Sequence, residues 1–331
     1  MIQGLGRKCV SMRIAVVGCG GFGNVHLNAL RELNRSDLEV YVFSRSRERA
    51  EECARRYSAS RYFTNYDDVI KSNVDVVDLI VSHDMHAPMA IKAMEAGKHV
   101  ILEKPIARTI DEANAIIEAS RRFKVKFMVA ENFYFDPAVW KVTELIKELG
   151  QVHTVIVRST HYGRPTGWRR IRELMGGGAF IDGGIHFVDT LLNIGGEYDH
   201  ACGSSYRTIS GIEGEDTTIG LFRFKNGARG LIMYSWGMMY SPNVPSIEVY
   251  GEGGSIIEDP STRRINASYG RVYGDLIFNG KAINLPKVNV VKAELEGFIK
   301  SIEEDKPVPM PPEVALRDLK AVLDVYGNQC L

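Results

Sequence analysis

Residues 13–23 read RIAVVGCGGFG, an apolar run followed by glycines with the spacing G-x-G-x-x-G. The apolar run predicts a buried strand, and the glycines lie where a helix is predicted to begin. A turn of this kind lets the backbone approach a pyrophosphate, while the helix N-terminus supplies N–H groups and a partial positive charge. We therefore predict a dinucleotide site formed by Gly18, Gly20, Gly21, Phe22 and Gly23. The alternative is a tight turn that binds no ligand.

Short apolar runs alternate with helical segments in the first part of the chain. The predicted strands are 13–17, 38–43, 75–81, 99–102 and 126–130, and the predicted helices are 47–57, 88–96 and 110–123. Thr109 and Glu112 open the last helix with the spacing of a capping box. This alternation predicts an α/β fold with a Rossmann-type, doubly wound parallel sheet over residues 12–131. Residues 1–11 are expected to form an extension outside the fold.

From about residue 132 strand-like runs dominate, at 152–160, 217–224, 228–236 and 246–251. Asn226-Gly227 between two of them predicts a hairpin. The helices are predicted at 138–149, 178–194, 291–304 and 313–326. We expect residues 132–331 to form an α+β domain for substrate binding and oligomerisation, with an open, predominantly antiparallel sheet and helices on one face.

The composition excludes several classes of partner. Lys and Arg together number 41, as do Asp and Glu, and no long block of one sign is present. Nucleic acid and anionic membranes are therefore not expected as partners. No apolar stretch reaches the roughly 18 residues that a membrane span requires, and the N-terminus lacks the apolar run of a signal peptide. The expected partner is a small molecule.

Five cysteines are scattered along the chain without the spacing of a metal site, at Cys9, Cys19, Cys53, Cys202 and Cys330. An odd number without a framework is typical of reduced thiols in a cytoplasm. We accordingly expect a cytoplasmic protein that binds no metal.

The end of the second predicted strand bears on the choice of dinucleotide. NAD-binding chains usually carry an acidic residue here that bonds the ribose hydroxyls. This chain has Ser44 and Arg45 instead, a hydroxyl and a guanidinium that can hold a 2′-phosphate. The sequence therefore favours NADP(H) over NAD(H). Alternatively, Arg45 and Arg47 are solvated residues in the first turn of the next helix.

Two further motifs carry polar groups suited to catalysis. Glu103-Lys104-Pro105 follows a predicted parallel strand, at the sheet edge where ligands bind in such folds. Lys104 can stabilise the charge on an alcohol oxygen that loses its proton, although by itself the motif is better explained by a surface lysine. Asp182 and His186 have the i, i+4 spacing that places two side chains on one helix face.

Several runs together carry a resemblance to a known family: GCGGFG at 18–23, HAPMAIKAMEAGKHVILEKPIA at 86–107, Asn132, Trp168-Arg169 and GGGAFIDGGIHFVD at 176–189. With these runs, residues 13–326 resemble the Gfo/Idh/MocA family, named from glucose-fructose oxidoreductase, inositol dehydrogenase and a rhizopine-catabolism protein. The resemblance implies a nicotinamide-dependent oxidoreductase that transfers a hydride between the nicotinamide and a secondary alcohol or carbonyl of a sugar, polyol or sugar derivative. Together with Ser44 and Arg45, it predicts an NADP-dependent enzyme.

The resemblance also implies roles for individual residues. Lys104 contacts both substrate and nicotinamide, and Asp182 and His186 complete the catalytic group. It adds cofactor contacts at His86, Glu103 and Asn132, and substrate contacts at Trp168 and Arg169. For Trp168 and its neighbouring arginines, a positively charged solvated loop is the alternative.

One turn departs from the family. Its members commonly show Thr-Pro-Asn-x-x-His, whereas residues 81–86 here read Val-Ser-His-Asp-Met-His. Only the final histidine, His86, matches. His83 could line the site or be a loop histidine without function.

These residues predict a mechanism in which a substrate hydroxyl lies between Lys104 and His186. His186 acts as general base because histidine titrates near neutral pH, and Asp182 orients it or binds a neighbouring hydroxyl. Tyr162 is the substitute base if His186 does not serve. The direction of the reaction stays open.

Two other functions compete with this prediction. One is a cofactor-binding regulator or sensor that has lost catalysis. The other is a reductase of a non-sugar carbonyl or imine on the same fold.

The second predicted sheet also indicates how the chain assembles. Apolar residues cluster on or just after one of its strands, at Met233, Trp236, Met238 and Met239. Because such surfaces are usually buried in partners, we expect a homodimer or homotetramer formed through this sheet.

Overall fold

The computed structural model describes residues 12–263 and 272–330. Cys9 and the predicted N-terminal extension, 1–11, lie outside the described residues.

Six parallel strands form the first sheet, in the order β3-β2-β1-β4-β5-β6. They are β1 Met12–Val17, β2 Leu38–Phe43, β3 Arg61–Phe63, β4 Val76–Leu79, β5 His99–Glu103 and β6 Phe127–Ala130. Its helices are α1 Gly21–Glu32, α2 Arg47–Tyr57, α3 Tyr66–Lys71, α4 His86–Glu95 and α5 Ile110–Arg122. The predicted doubly wound α/β fold is confirmed. Only β3 and α3 were not predicted, because elements this short leave too little periodicity to read.

The strand order reverses direction at β1, which pairs with β2 on one side and β4 on the other. A crevice opens at such a switch point, outside the carboxyl ends of the strands. The glycine turn follows β1, and Lys104 follows β5 at the same edge. The topology thus places both motifs around one crevice.

The predicted capping box at α5 forms in a modified way. The Thr109 hydroxyl accepts the Glu112 backbone N–H at 3.2 Å, as expected. The Glu112 carboxylate instead accepts the Arg108 backbone N–H at 3.0 Å and its guanidinium at 2.6 Å. The helix start is therefore fixed by three residues rather than two.

The second sheet has eight strands in the order β14-β13-β12-β11-β7-β10-β9-β8. They are β7 Val152–Thr160, β8 Tyr198–Tyr206, β9 Thr217–Phe224, β10 Arg229–Ser235, β11 Ile247–Gly251, β12 Gly254–Asp259, β13 Asp275–Phe278 and β14 Lys281–Ile283. Within the described residues, β7 and β10 pair in parallel and the other neighbours are antiparallel. The predicted open, mainly antiparallel sheet is confirmed, and Gly227 turns the predicted hairpin with φ +94°.

The remaining helices are α6 Pro137–Leu145, α7 Arg172–Met175, α8 Ile185–Gly195, α9 Val290–Glu303 and α10 Pro312–Gly327. Helix α8 packs on β7 and β10, and α10 packs on β8. Helix α9 returns to pack against α1, and α10 also contacts α5 and β6. These contacts hold the second sheet and its helices against the first sheet, beside the crevice.

The prediction of reduced thiols is wrong for the four cysteines in the described part of the chain. Cys19 pairs with Cys53, and Cys202 pairs with Cys330, with Cα atoms 6.2 and 5.3 Å apart. The partners are 34 and 128 residues apart in sequence, so their spacing carries no recognisable pattern. The fold brings them together, and a cytoplasmic location no longer follows from the cysteines.

A search of the helices in 12–263 and 272–330 finds none that is long and apolar enough to cross a bilayer.

Candidate functional site

Two glycines of the first motif are required by close backbone packing. Gly18 has φ +131°, and a Cβ there would lie 2.2 Å from the Ile80 carbonyl oxygen. A Cβ on Gly23 would lie 1.7 Å from the Gly18 carbonyl oxygen. Any side chain at either position therefore collides with backbone, and the turn between β1 and α1 can close only with glycine.

The other two glycines face open space. A Cβ on Gly20 or Gly21 would meet no atom within 4 Å. Gly20 is the N-cap of α1, whose first turn carries no acidic residue and no side-chain cap. The first N–H groups of α1 and the positive end of its dipole are thus left for an anion. This cradle fits the pyrophosphate of a dinucleotide, with Phe22 at its edge.

The end of β2 offers one guanidinium without a described partner. The Arg47 guanidinium forms an ion pair with the Glu51 carboxylate at 2.9 Å and contacts the Tyr62 hydroxyl, so its positive charge already has a partner. Arg45 is exposed, and its guanidinium makes no ion pair or hydrogen bond within the described ranges. Ser44 is half-buried, and its hydroxyl lies 3.4 Å from the Ser46 nitrogen. The predicted pair for a 2′-phosphate is therefore available at this strand end.

His86 lies where no ligand reaches its ring. The side chain is fully buried, and its nitrogens face the carbonyl oxygens of Pro105 at 2.8 Å and Val81 at 3.3 Å. Burial, together with the neighbouring His83, lowers the pKa of His86 to about 3, so the ring is neutral. The structure therefore corrects the predicted direct cofactor contact: His86 ties the 81–86 turn to the segment after β5.

The Glu103 carboxylate also points into the protein. It hydrogen-bonds His26 at 3.1 Å, and His26 contacts Asp78 at 2.9 Å through its other nitrogen. Burial alone would lower the pKa of His26, but Asp78 and Glu103 outweigh it and raise this pKa well above its usual value. Glu103 thus anchors the end of β5 from behind instead of presenting its carboxylate to the crevice.

Lys104 and Asp182 form the centre of the candidate catalytic site. The Lys104 ammonium donates to the Asp182 carbonyl oxygen at 2.5 Å and to its carboxylate at 3.3 Å. The lysine side chain is 11% exposed. An ammonium has three N–H donors, so one remains for a substrate oxygen.

Two further side chains converge on Asp182. Arg169 binds one carboxylate oxygen at 2.7 Å, and His83 lies 3.3 Å from the other. Burial opposes ionisation of Asp182, but Lys104, His83 and Arg169 outweigh it and hold the pKa of Asp182 well below its usual range. Of the two readings of His83, the structure therefore favours a place at the site.

His186 has a different partner from the one predicted. Its Nδ1 hydrogen-bonds the carboxylate of Glu131, a buried residue directly after β6. The Phe133 ring stacks on the imidazole, with centroids 4.3 Å apart and planes 13° from parallel. Sequence reasoning missed Glu131, although an acid at the carboxyl end of a buried parallel strand was a usable signal. Asn132, the neighbouring residue, begins a short 3₁₀ turn, Asn132–Phe135.

The predicted regular helix over 178–194 begins instead as a π-helical turn, Phe180–Gly184, which continues into α8. Such widened turns are frequent at functional sites. A Cβ on Gly183 would lie 2.0 Å from the Tyr234 hydroxyl, so glycine permits this turn to press against β10. Asp182 and His186 are thereby placed on the wall of one cavity.

That cavity measures about 630 Å³ and opens between α8 and the second sheet. Aromatic and polar side chains line it together, including Phe133, His161, Asp182, His186, Tyr234 and Trp236. Apolar walls with a few placed polar groups are typical of small-molecule sites. Tyr162, the predicted substitute base, is 36% exposed and is not among the lining residues in the described chain.

Trp168 and Arg169 have different roles at the site. Trp168 packs its ring edge on His83, with centroids 4.6 Å apart, and the Arg169 guanidinium lies 4.4 Å from the tryptophan ring. Arg169 and Asp182 line the cavity, whereas Trp168 supports His83 from the side. Within the described residues, no cluster of His, Cys, Asp and Glu is arranged to hold a metal ion.

Two family models match consecutive parts of the chain. Residues 12–131 match an oxidoreductase family with an NAD-binding Rossmann fold, and residues 139–257 match the GFO/IDH/MocA C-terminal domain. The two matches meet close to the predicted domain boundary.

Named relatives align over most of the chain. Myo-inositol 2-dehydrogenase from Thermotoga maritima is 29% identical over 94% of this chain and 93% of its own length. Levoglucosan dehydrogenase from Pseudarthrobacter phenanthrenivorans is 27% identical over 75% and 73%. An NADP(+)-dependent scyllo-inositol 2-dehydrogenase from Bacillus subtilis is 25% identical over 89% of both chains.

A solved structure shares the whole fold. Levoglucosan dehydrogenase in complex with NADH and levoglucosan superposes with a TM-score of 0.84 over 96% of both chains, at 22% sequence identity. At this identity the likeness shows the common fold alone.

Proposed function

The chain belongs to the Gfo/Idh/MocA oxidoreductase family, and from this premise we propose that it is an NADP(H)-dependent dehydrogenase of a sugar, polyol or sugar derivative. The observation that carries the proposal is the cavity wall on which Asp182, bound to Lys104, and His186 lie together. A sensor without catalysis would not need a lysine-bound carboxylate and an imidazole on one cavity wall.

The cofactor, when bound, accepts or supplies the hydride. Gly20, Gly21 and the first turn of α1 would hold its pyrophosphate, and Ser44 with Arg45 would hold a 2′-phosphate. Beside the cavity, where Lys104 is bound to the lining residue Asp182, its remaining donor would bind the substrate oxygen and lower the cost of negative charge there. His186 takes the hydroxyl proton during oxidation and returns it during reduction.

Asp182 serves Lys104 rather than His186. Its Oδ1 atom contacts Lys104 and His83, and its Oδ2 atom contacts Arg169. The expected orienting contact to His186 is therefore replaced by the contact from Glu131. Asp182 fixes the position of the Lys104 ammonium beside the cavity wall.

The mixed aromatic and polar lining favours a polyhydroxylated substrate, because aromatic rings cover the C–H faces of a sugar while polar groups bond its hydroxyls. A screen of sugars, inositols and other polyols with NADP⁺ and NAD⁺, followed by absorbance of the reduced nicotinamide, tests this assignment. Turnover of a carbonyl or imine lacking hydroxyls, with none of the polyols active, would favour the reductase alternative. Cofactor binding without any turnover would favour the sensor.

We expect NADP(H) to bind more tightly than NAD(H), and Ser44→Asp to reverse the order. A carboxylate at this position repels a 2′-phosphate and accepts hydrogen bonds from the ribose hydroxyls. Loss of one charge-assisted phosphate contact weakens binding by roughly ten- to a hundredfold. Fluorescence titration of NADPH and NADH into both proteins measures the ratio.

Arg45→Ala and Arg47→Ala separate the two arginines in this prediction. Arg45→Ala should weaken NADPH alone, whereas Arg47→Ala should change little because Arg47 is paired with Glu51. Equal affinity of the unaltered protein for both dinucleotides would contradict the proposed preference.

The outer face of the second sheet supports the predicted homodimer or homotetramer. Leu231 of β10 stands opposite Leu221 of β9 on one side and Ile156 of β7 on the other. Next to them Met233 stands opposite Ile219. The Ile219 and Leu221 side chains are 38% and 47% exposed, which is high for large apolar residues in the middle of a sheet. Of the predicted apolar cluster, Trp236 is buried and lines the cavity, so it is not part of this face.

We expect light scattering at micromolar concentration to give a multiple of the 36.9 kDa chain mass. Leu221→Arg should reduce the mass to that of the monomer, because it places a charge at the centre of the apolar face. Lys281→Glu, on the edge strand β14, changes charge elsewhere and should leave the mass unchanged. A monomeric mass for the unaltered protein would contradict assembly through this face.

A further inference from the structure

We propose that Glu131 is the positioning residue of His186: its carboxylate holds the imidazole in the tautomer that directs the unprotonated Nε2 toward the substrate hydroxyl. The inference rests on the proposed function, in which His186 is the general base. Glu131 is a fourth residue of the site, in addition to Lys104, Asp182 and His186. It directly follows β6 of the first sheet.

The contacts around the imidazole determine its orientation. The Glu131 Oε1 atom accepts from His186 Nδ1 and also from the Phe133 backbone N–H, the latter at 3.2 Å. The Phe133 ring covers one face of the imidazole. Glu131 is 2% exposed, so its carboxylate has little freedom to turn away. With Nδ1 bound on the protein side, Nε2 is the nitrogen left for the cavity that His186 lines.

Other acids near His186 do not take this role. Asp182 is committed to three cationic or donor groups on its own side of the cavity. Arg164 and Arg169 share the cavity lining with His186, and a guanidinium has no acceptor for Nδ1. Among the described residues, Glu131 is the carboxylate in contact with the ring.

Three acids packed behind Glu131 have raised pKa values. Glu294 on α9, Asp189 on α8 and Asp318 on α10 are buried acids that interact electrostatically with Glu131. Burial raises the pKa of all three, and the negative charge of Glu131 adds to the effect. Arg317 partly offsets it at Asp189 and Asp318. The protonated forms of Glu294 and Asp189 are thus favoured more than for exposed carboxylates.

The role of Glu131 in the reaction follows from the movement of charge. During oxidation the hydroxyl proton moves to His186 Nε2, the carbinol hydrogen leaves with both bonding electrons for the oxidised nicotinamide, and the C–O bond becomes a carbonyl. The resulting imidazolium lies against the Glu131 carboxylate, which stabilises its positive charge. A carboxylate of this kind orients and stabilises the base without itself taking the proton.

Glu131→Gln tests the proposal because it keeps the size of the side chain and removes its charge. We expect kcat to fall roughly ten- to a hundredfold with the best substrate of the screen, with KM and NADPH affinity changed less than about twofold. A carboxylate favours the protonated imidazole, so its loss should move the acidic limb of the kcat/KM profile to lower pH. Glu131→Asp retains the charge and should restore the pH profile at least in part.

A second readout does not depend on turnover. The ¹⁵N shifts of the His186 ring should show the Nδ1–H tautomer in the unaltered protein at high pH and a mixture of tautomers in Glu131→Gln. Glu294→Gln removes a neighbouring buried acid that makes no described hydrogen bond, and it should leave both the tautomer and the pH profile unchanged. In His186→Ala, adding Glu131→Gln should cost nothing further, because the two residues act as a unit.

The outcomes separate the two proposals. A reduced kcat in Glu131→Gln with an unchanged pH profile and tautomer would overturn the positioning role and leave a structural one. A full additional loss in the double variant would do the same. If no sugar or polyol is turned over, the proposed function fails, while the ring ¹⁵N shifts still decide whether Glu131 sets the tautomer.

Discussion

His186→Ala is expected to lower kcat by roughly a hundred- to ten-thousandfold, the range that general acid–base groups contribute. The imidazole lies at the cavity with one nitrogen bound to Glu131, so its removal leaves the hydroxyl proton without an acceptor. NADPH affinity should change little, because the ring acts in the chemical step. Steady-state kinetics with the best substrate, together with NADPH titration, measure both quantities.

Lys104→Met should give a loss of similar size in kcat and also weaken binding. The ammonium is proposed to touch both substrate and nicotinamide, and its removal leaves Asp182 buried with one counter-ion fewer. Lys104→Met should therefore also lower the melting temperature. Asp182→Asn should reduce kcat to an intermediate level, since it keeps the shape of the side chain and the backbone contact to Lys104 but removes the carboxylate charge that faces Lys104 and Arg169.

His200→Ala provides the matched control for His186→Ala. His200 lies on the exposed part of β8, away from the cavity, and its loss should leave kcat within about twofold. Near-normal kcat in His186→Ala would show that another group moves the proton. Tyr234, which lines the cavity, would then be the next residue to replace.

Gly23→Ala is expected to destabilise the protein by about 3 kcal/mol and to weaken NADPH binding more than roughly a hundredfold. The added methyl group would lie 1.7 Å from the Gly18 carbonyl oxygen, so the turn must open before α1 can form in place. Opening the turn removes the aligned N–H groups that would hold the pyrophosphate. Denaturant unfolding and NADPH titration measure the two effects.

Gly20→Ala separates binding from folding. Its methyl group meets no atom within 4 Å, and φ −91° is allowed for alanine, so stability should stay within about 0.5 kcal/mol. The methyl group would occupy space assigned to the pyrophosphate, so NADPH affinity should fall about tenfold or more. Normal NADPH affinity in Gly20→Ala would place the pyrophosphate elsewhere.

The sequence by itself determined many elements of the fold, but not β3, α3, β8, β12, β13 or β14. The strand at 38–43 and the helix at 47–57 were predicted with the bounds that the structure shows, because periodicity and capping depend on near neighbours in the chain. The glycine turn was equally readable, since its steric demands arise between residues only a few positions apart. The family motifs then indicated which residues to expect at the site.

Only the tertiary structure decided which side chains meet. Asp182 lies 78 residues from Lys104 in sequence, and Glu131 lies 55 residues from His186, yet these contacts form the centre of the site. The same holds for Cys202 and Cys330, 128 residues apart. Local patterns predict whether a segment forms a helix or a strand, but they do not show which distant segment packs beside it. The partners of Asp182 and His186 are set by the order of strands in the sheets and by the packing of α8 on β7 and β10.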